Sequence, residues 1–244
     1  MDFQPDTFGT LYADTYDDRH NPGTTDGCVN LISRLAGPDA RILELASGTG
    51  RITLPLAERG HRIEGIEASQ EMVDKMRAKP GGADIPVTIG DMADVGRDGP
   101  FDLIFLVYNT IGNLITQEAQ VRLFENVGQR LAPGGRFVVE TFIPDLTPFT
   151  DHQRMRVQSM DMDRLQFEAV DHDPLAQTFR FQRVRIGPDG TTLSPFIIRY
   201  NYPAELDLMA RLGGLALTDR WGGFEGEPFT ADSTMHVSVW QKPA

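Results

Sequence analysis

The 244-residue sequence predicts an α/β fold: helices flank a mostly parallel sheet, and an antiparallel block is inserted late in the chain. Three observations predict it. Short apolar runs alternate with helical patterns up to about residue 143, which is the rhythm of βαβ units. Phe101-Asp-Leu-Ile-Phe-Leu-Val107 is almost continuously apolar, as a parallel strand covered on both faces must be. After Pro144 the pattern changes to polar–apolar alternation over 154–161, 163–170, 176–186 and 192–202.

Within residues 1–22, Leu11, Tyr12, Thr15 and Tyr16 fall at helical spacing, which predicts a short amphipathic helix able to pack as a flap. A helix over 24–37 stops at Gly37-Pro38. Arg41-Ile-Leu-Glu-Leu-Ala-Ser-Gly-Thr-Gly50 reads as a buried strand, a glycine turn and a helix start. That helix runs to Arg59 with Pro55 in its first turn, and Gly60 ends it. Strands at 61–67, 85–89 and 101–107 follow, with a helix from Ser69 to Arg77 after the first of them. A helix over 117–131 and the turn Pro133-Gly134-Gly135 lead to a strand at 136–140. In the inserted block Pro188-Asp189-Gly190 marks a hairpin, and the block is expected to extend the main sheet. Pro203 to Leu212 reads as a helix, and Leu215–Trp221 and Thr234–Gln241 supply the last two of seven strands. The expected units are residues 1–144, an insertion at 145–202, and a closing segment at 203–244.

Composition narrows the function. The net charge is -12, from 35 acids and 23 basic residues, and no basic stripe is present, so nucleic acid is not an expected partner. No apolar run is long enough to cross a bilayer, the acidic N-terminus is not a signal peptide, and the single Cys28 forms no intramolecular disulfide. A cytoplasmic monomer or homodimer is expected.

The chemistry concentrates at the predicted strand ends. Gly48 and Gly50 allow close backbone approach, and the helix start offers N–H donors. Glu44 sits in an apolar strand, where a carboxylate needs a partner. An acid at the end of the second strand, Glu67, is placed to accept hydrogen bonds from a ribose diol. Together they suit a ligand with hydroxyl groups and a positive centre. Tyr108, Asn109 and Thr110 lie at the end of the fourth strand, where open α/β sheets bind ligands.

Glu44-Leu-Ala-Ser-Gly-Thr-Gly50, Glu67, Gly90-Asp91-Met92, Phe101-Asp102 and Leu131-Ala-Pro-Gly-Gly135 form an ordered series. It resembles that of class I S-adenosylmethionine-dependent methyltransferases over roughly residues 24–143 and the closing strands. Ala46 departs from it, standing where the family usually has its first glycine. The resemblance implies a Rossmann-like seven-stranded sheet, S-adenosyl-L-methionine as cofactor and S-adenosyl-L-homocysteine as product. It implies that Glu44 and the turn Ala46, Ser47, Gly48, Gly50 surround the methionyl part, and that Glu67, beside Ala68, holds the ribose. Asp91 would meet the adenine amino group and Met92 would lie beside the ring, while Val107 to Thr110 would run beneath the methionyl group. The flap and insertion look like those of sugar-amine and glycine-type N-methyltransferases, in which Tyr12 and Tyr16 would reach cofactor or acceptor and the insertion would roof the acceptor site.

The expected acceptor is a small molecule, an amine in the first reading and an indole-like or phenolic natural product in the alternative. Candidate catalytic residues are Tyr16, Tyr108, Asn109, His152 and His172; Glu140 and His20 are further candidate bases. Met155, Met160, Met162, Phe167, Phe179 and Phe181 are expected to line the acceptor pocket. The acids around His152 and His172 read as solvated loops, so no metal site is expected. An NAD-dependent oxidoreductase and a cofactor-binding protein without turnover are the rival classes.

Overall fold

The computed structural model describes residues 6–19 and 23–244. The flap is α1 (Thr7–Tyr12), a 3-10 turn and α2 (Tyr16–Arg19). The core follows as α3 (Thr25–Ala36), β1 (Arg41–Leu45), α4 (Thr53–Glu58), β2 (Arg62–Glu67), α5 (Gln70–Arg77), β3 (Val87–Ile89), β4 (Phe101–Leu106), α6 (Gln117–Arg130) and β5 (Leu131–Phe142). Next come β6 (Gln153–Met160), β7 (Leu165–Asp173), β8 (Thr178–Gly187) and β9 (Gly190–Arg199), then α7 (Pro203–Leu212), β10 (Ala216–Trp221) and β11 (Met235–Gln241).

Seven strands form one sheet in the order β10-β11-β5-β4-β1-β2-β3, parallel from β5 to β3, with β11 antiparallel to both β10 and β5. The order reverses direction between β1 and β4, the switch point where such sheets open a ligand crevice. The apolar runs explain the layering. Ile42, Leu43, Leu45 and Leu103 to Leu106 are almost fully buried, and their two faces feed two separate cores. One contains Leu123, Phe124 and Val127 of α6 with Leu206 and Met209 of α7; the other contains Val29, Leu31 and Ile32 of α3 with Leu56 of α4.

The inserted strands do not join this sheet, contrary to expectation. They form their own antiparallel sheet in the order β6-β7-β8-β9. Its apolar face closes on a third cluster, where Val170, Phe179 and Tyr200 pack with Phe142, Leu146 and Phe149 from β5 and the segment after it. Burial drives the separation: the block covers the end of the main sheet instead of lengthening its edge. The hairpin at 188–190 is as read, with Gly187 paired to Gly190. β5 begins earlier than expected: Leu131, read as the end of the helix, already pairs with Phe101, and Pro133 to Gly135, read as a turn, lie within the strand.

Candidate active site

The turn after β1 sets the geometry. Ala46, Gly48 and Gly50 take φ of 57°, 56° and 83°. The left-handed region is open to glycine and costs an alanine of the order of 1–2 kcal/mol, so Ala46 brings strain as well as a methyl group. A Cβ on Gly50 would lie 2.6 Å from Cγ of Met76. Beyond the turn, the Glu67 carboxylate accepts from Gly48 N–H at 2.8 Å and Ser69 N–H at 3.0 Å, and burial raises its pKa. Asp91 accepts from Ala93 N–H at 2.9 Å and lies 3.6 Å from Arg122.

These strand ends wall an inner cavity of about 240 Å³. Ala46, Gly48, Glu67, Ala68, Asp91 and Met92 all line it, and Tyr16 closes it from the flap. Asp14 and Asp17 of the flap pair with Lys75 and Lys79 at 2.8 and 2.7 Å, and Thr49 donates to Asp17 at 2.5 Å. Gly9 of α1 also lines the cavity, and a Cβ there would meet Ser69 at 2.3 Å. Glu44 lies off the lining: it is buried, accepts from the Thr53 hydroxyl, and burial lifts its pKa to about 8. Ser47, Gly50, Val107 and Tyr12 are likewise outside the lining, Tyr12 and Val107 as buried packing residues.

An outer cavity of about 670 Å³ lies between the two sheets. Tyr108 and Asn109 line it in consecutive left-handed conformations, φ 63° and 58°. Their strain is held by neighbours. Glu140 accepts from Tyr108 N–H, and burial raises its pKa to about 7; the Asn109 side-chain oxygen accepts from Phe142 N–H at 2.6 Å. Glu140 is therefore a backbone clamp, and it lies off the lining of both cavities. The Arg51 guanidinium stands 3.5 Å over the Tyr108 ring.

Among the described residues, no histidine is brought to either cavity. His152 sits in an exposed turn at φ 64°. His172 is buried against Phe149 and Phe179, with Nε2 3.1 Å from the Tyr200 hydroxyl, and burial lowers its pKa. His20 lies outside the described residues. Among the six expected apolar lining residues only Phe179 and Phe181 line the outer cavity; Met155, Met160 and Met162 are 70%, 76% and 104% exposed. β6 is an edge strand whose methionines project away from the cavity, which alternation alone does not reveal. No metal-holding cluster occurs among the described residues.

Sequence reading missed Arg51, Thr110 as a wall of both cavities, Asn113, and the charged group Arg154, Glu168 and Arg183. Arg51 carried a signal: a cation directly after the glycine turn opposes the helix dipole, so it needs another reason to be there. The roof group carried none, because charged residues at alternate strand positions look like a solvated face.

A family model described as a methyltransferase domain matches residues 42–135. The solved structure of the CcbJ methyltransferase from Streptomyces caelestis is 34% identical, with a TM-score of 0.90 over 99% of this chain and 100% of that one. The chain belongs to the class I S-adenosylmethionine-dependent methyltransferases. This methyltransferase is also 28% identical over 226 residues to the cypemycin N-terminal methyltransferase of a Streptomyces species, covering 91% of each. Its fold matches the S-adenosylmethionine-bound amino pentose methyltransferase CalS10 from Micromonospora echinaspora, at 20% identity and a TM-score of 0.66 over 98% of both chains. S-adenosyl-L-methionine is the cofactor of the methyltransferase, and the oxidoreductase alternative is set aside. No helix among the described residues is long and apolar enough to cross a membrane.

Proposed function

We propose that this methyltransferase N-methylates a small-molecule or peptide amine, with cofactor in the inner cavity and acceptor in the outer one. The observation that carries the reading is the shared wall. Tyr16, Thr110, Asn113 and Phe196 line both cavities, and among the described residues no histidine lines either. The carboxylates of the outer wall are engaged, Glu168 by two arginines and Asp145 by Thr147. A neutral amine attacks with its own lone pair, whereas a phenol or indole needs a base.

The donor set of the inner cavity suits the cofactor. Glu67 would hold the ribose hydroxyls and Asp91 the adenine amino group, while Ala46 and Gly48 would flank the methionyl part. The bound cofactor supplies an electrophilic methyl group on a sulphonium. The protein contributes alignment and exclusion of water. Tyr16 stands at the junction of the cavities, and the clamped Tyr108-Asn109 turn fixes the floor on which the amine is oriented. The names of the cypemycin N-terminal methyltransferase and the amino pentose methyltransferase agree with an amine acceptor. The test is a cofactor-dependent assay of primary and secondary amines against matched phenols, read by mass spectrometry. Methylated amines are expected; a methylated phenol beside unmodified amines would overturn the reading.

A further inference from the structure

The wall that the second sheet gives to the outer cavity contains a charged group that methyl transfer to an amine does not itself require. Glu168 of β7 has a side chain only 8% exposed, and it joins Arg154 of β6 at 3.4 Å to Arg183 of β8 at 3.0 Å. Each guanidinium also rests on a ring. Arg154 is 5.2 Å from the centroid of Phe149, and Arg183 is 4.5 Å from that of Phe196. Both arginines are thereby fixed, which lowers the ordering cost of any further hydrogen bonds they make.

Their bonding capacity is not exhausted. Glu168 takes Nε of Arg183 and one terminal nitrogen of Arg154, and Nε of Arg154 is buried with no hydrogen-bond partner among the described residues. A buried donor left unpaired is costly unless a ligand or water completes it. The charges do not balance either. Among the described residues, Arg51, Arg154 and Arg183 face Asp145 and Glu168 across the same cavity, leaving one positive charge in excess in a chain of net charge -12. Asp145 already accepts from the Thr147 backbone and hydroxyl. Next to the arginines the wall is apolar, with Phe179 and Phe181.

We infer that Arg154 and Arg183 form an anion subsite, so that the acceptor carries, away from its amine, a carboxylate or phosphate group read by two guanidinium forks. Planar forks match the oxygens of either group, and Glu168 orients them. The acceptor class is therefore an amine with an apolar body and an anionic end. This rests on the outer cavity being the acceptor site.

The test uses three probes of one shape: 4-(aminomethyl)benzoate, 4-(aminomethyl)phenyl phosphate and the neutral 4-(aminomethyl)benzamide. Each is titrated calorimetrically into the full chain saturated with S-adenosyl-L-homocysteine. At least one anionic probe is expected to bind about tenfold tighter than the amide, in line with charge-assisted hydrogen bonds. Comparison of the two anionic arms identifies carboxylate or phosphate. Arg154→Gln and Arg183→Gln are each expected to remove most of that preference, while Arg183→Lys, which keeps the charge without the fork, retains part of it. Equal affinity for charged and neutral probes, no binding of either anion, or a preference that survives in the double Gln variant would overturn the subsite. Failure of the homocysteine product to bind would instead break the cofactor assignment. Anion preference together with methylation of phenols and of no amine in the acceptor assay would break the amine reading and leave the subsite standing.

Discussion

The seven-stranded sheet holds its site groups by main-chain hydrogen bonds, whereas the four-stranded sheet holds its own by side chain on side chain. In the first, Glu67 is fixed by Gly48 and Ser69 N–H groups, Asp91 by Ala93 N–H, and Glu140 by Tyr108 N–H. In the second, Glu168 is held by Arg154, Arg183 and Gln158, and Gln166 bridges Gln158 and Arg185. Main-chain anchors persist when neighbouring side chains change, because the backbone supplies them. Side-chain anchors shift with each substitution. A scaffold divided this way keeps its cofactor geometry while the acceptor wall varies.

The joint between the two regions is where the comparison breaks most severely. Arg199 at the end of β9 is 4% exposed, and it donates to Gln120 of α6 at 2.5 Å and to Glu205 of α7 at 2.6 Å. Asn201 and Gln177 complete the network on Glu205. Arg199→Ala leaves a partly buried carboxylate without its cation, so a stability loss of about 3–5 kcal/mol is expected. Denaturant unfolding measures it. A loss below about 1 kcal/mol, the range of an exposed pair, would mean that the second sheet is not tied to the core here.

Glu44 gives the next effect, confined to the main sheet. Its folded pKa of about 8 lies above the ordinary 4.5. Between those values the folded state keeps a proton that the unfolded chain has lost, so stability falls as pH rises from about 4.5 to about 8. The contribution is fully present below the lower value. A shift of this size is worth on the order of a few kcal/mol. In cofactor-free protein, Glu44→Gln should flatten this part of the Tm–pH curve, and parallel curves for the two proteins would refute it. Smaller still, Glu67→Ala should weaken S-adenosyl-L-methionine by about 1–3 kcal/mol through lost charge-assisted hydrogen bonds. Calorimetry with unchanged affinity removes Glu67 from the ribose site. Tyr16→Phe, at the junction, should reduce kcat by several-fold, of the order of the ~1 kcal/mol that one hydrogen bond contributes, with less change in cofactor affinity.

The same division governs what could be read beforehand. Glycines at positive φ, an acid at a strand end and a continuous apolar strand are each required locally, so Gly48, Glu67 and Phe101 to Leu106 announced their places. The second sheet offered only alternation, which fixes that residues share a face but not which face looks inward. Glu168 and Arg183 face the cavity while Met155 and Met162 face solvent, and pairing across three strands decides that. A register irregularity between Val157 and Ser159 further re-aims β6. His172 was misplaced for a related reason: its neighbours in sequence are acids, but its neighbours in space are Phe149, Phe179 and Tyr200.

The smallest expected effect tests that face assignment directly. Met162 follows β6 and is fully exposed, and Met155 is exposed on the strand itself. If the methionines stand outside the acceptor wall, Met162→Ser and Met155→Gln change neither packing nor the cavity, and stability stays within about 0.5 kcal/mol, as for surface substitutions generally. kcat/KM for any methylated acceptor should hold as well. Phe181→Ser, on the opposite face and stacked 4.2 Å from Phe196, should raise KM in the same assay. Raised KM in the methionine variants, with Phe181→Ser silent, would invert the sheet and place its outer face against the acceptor.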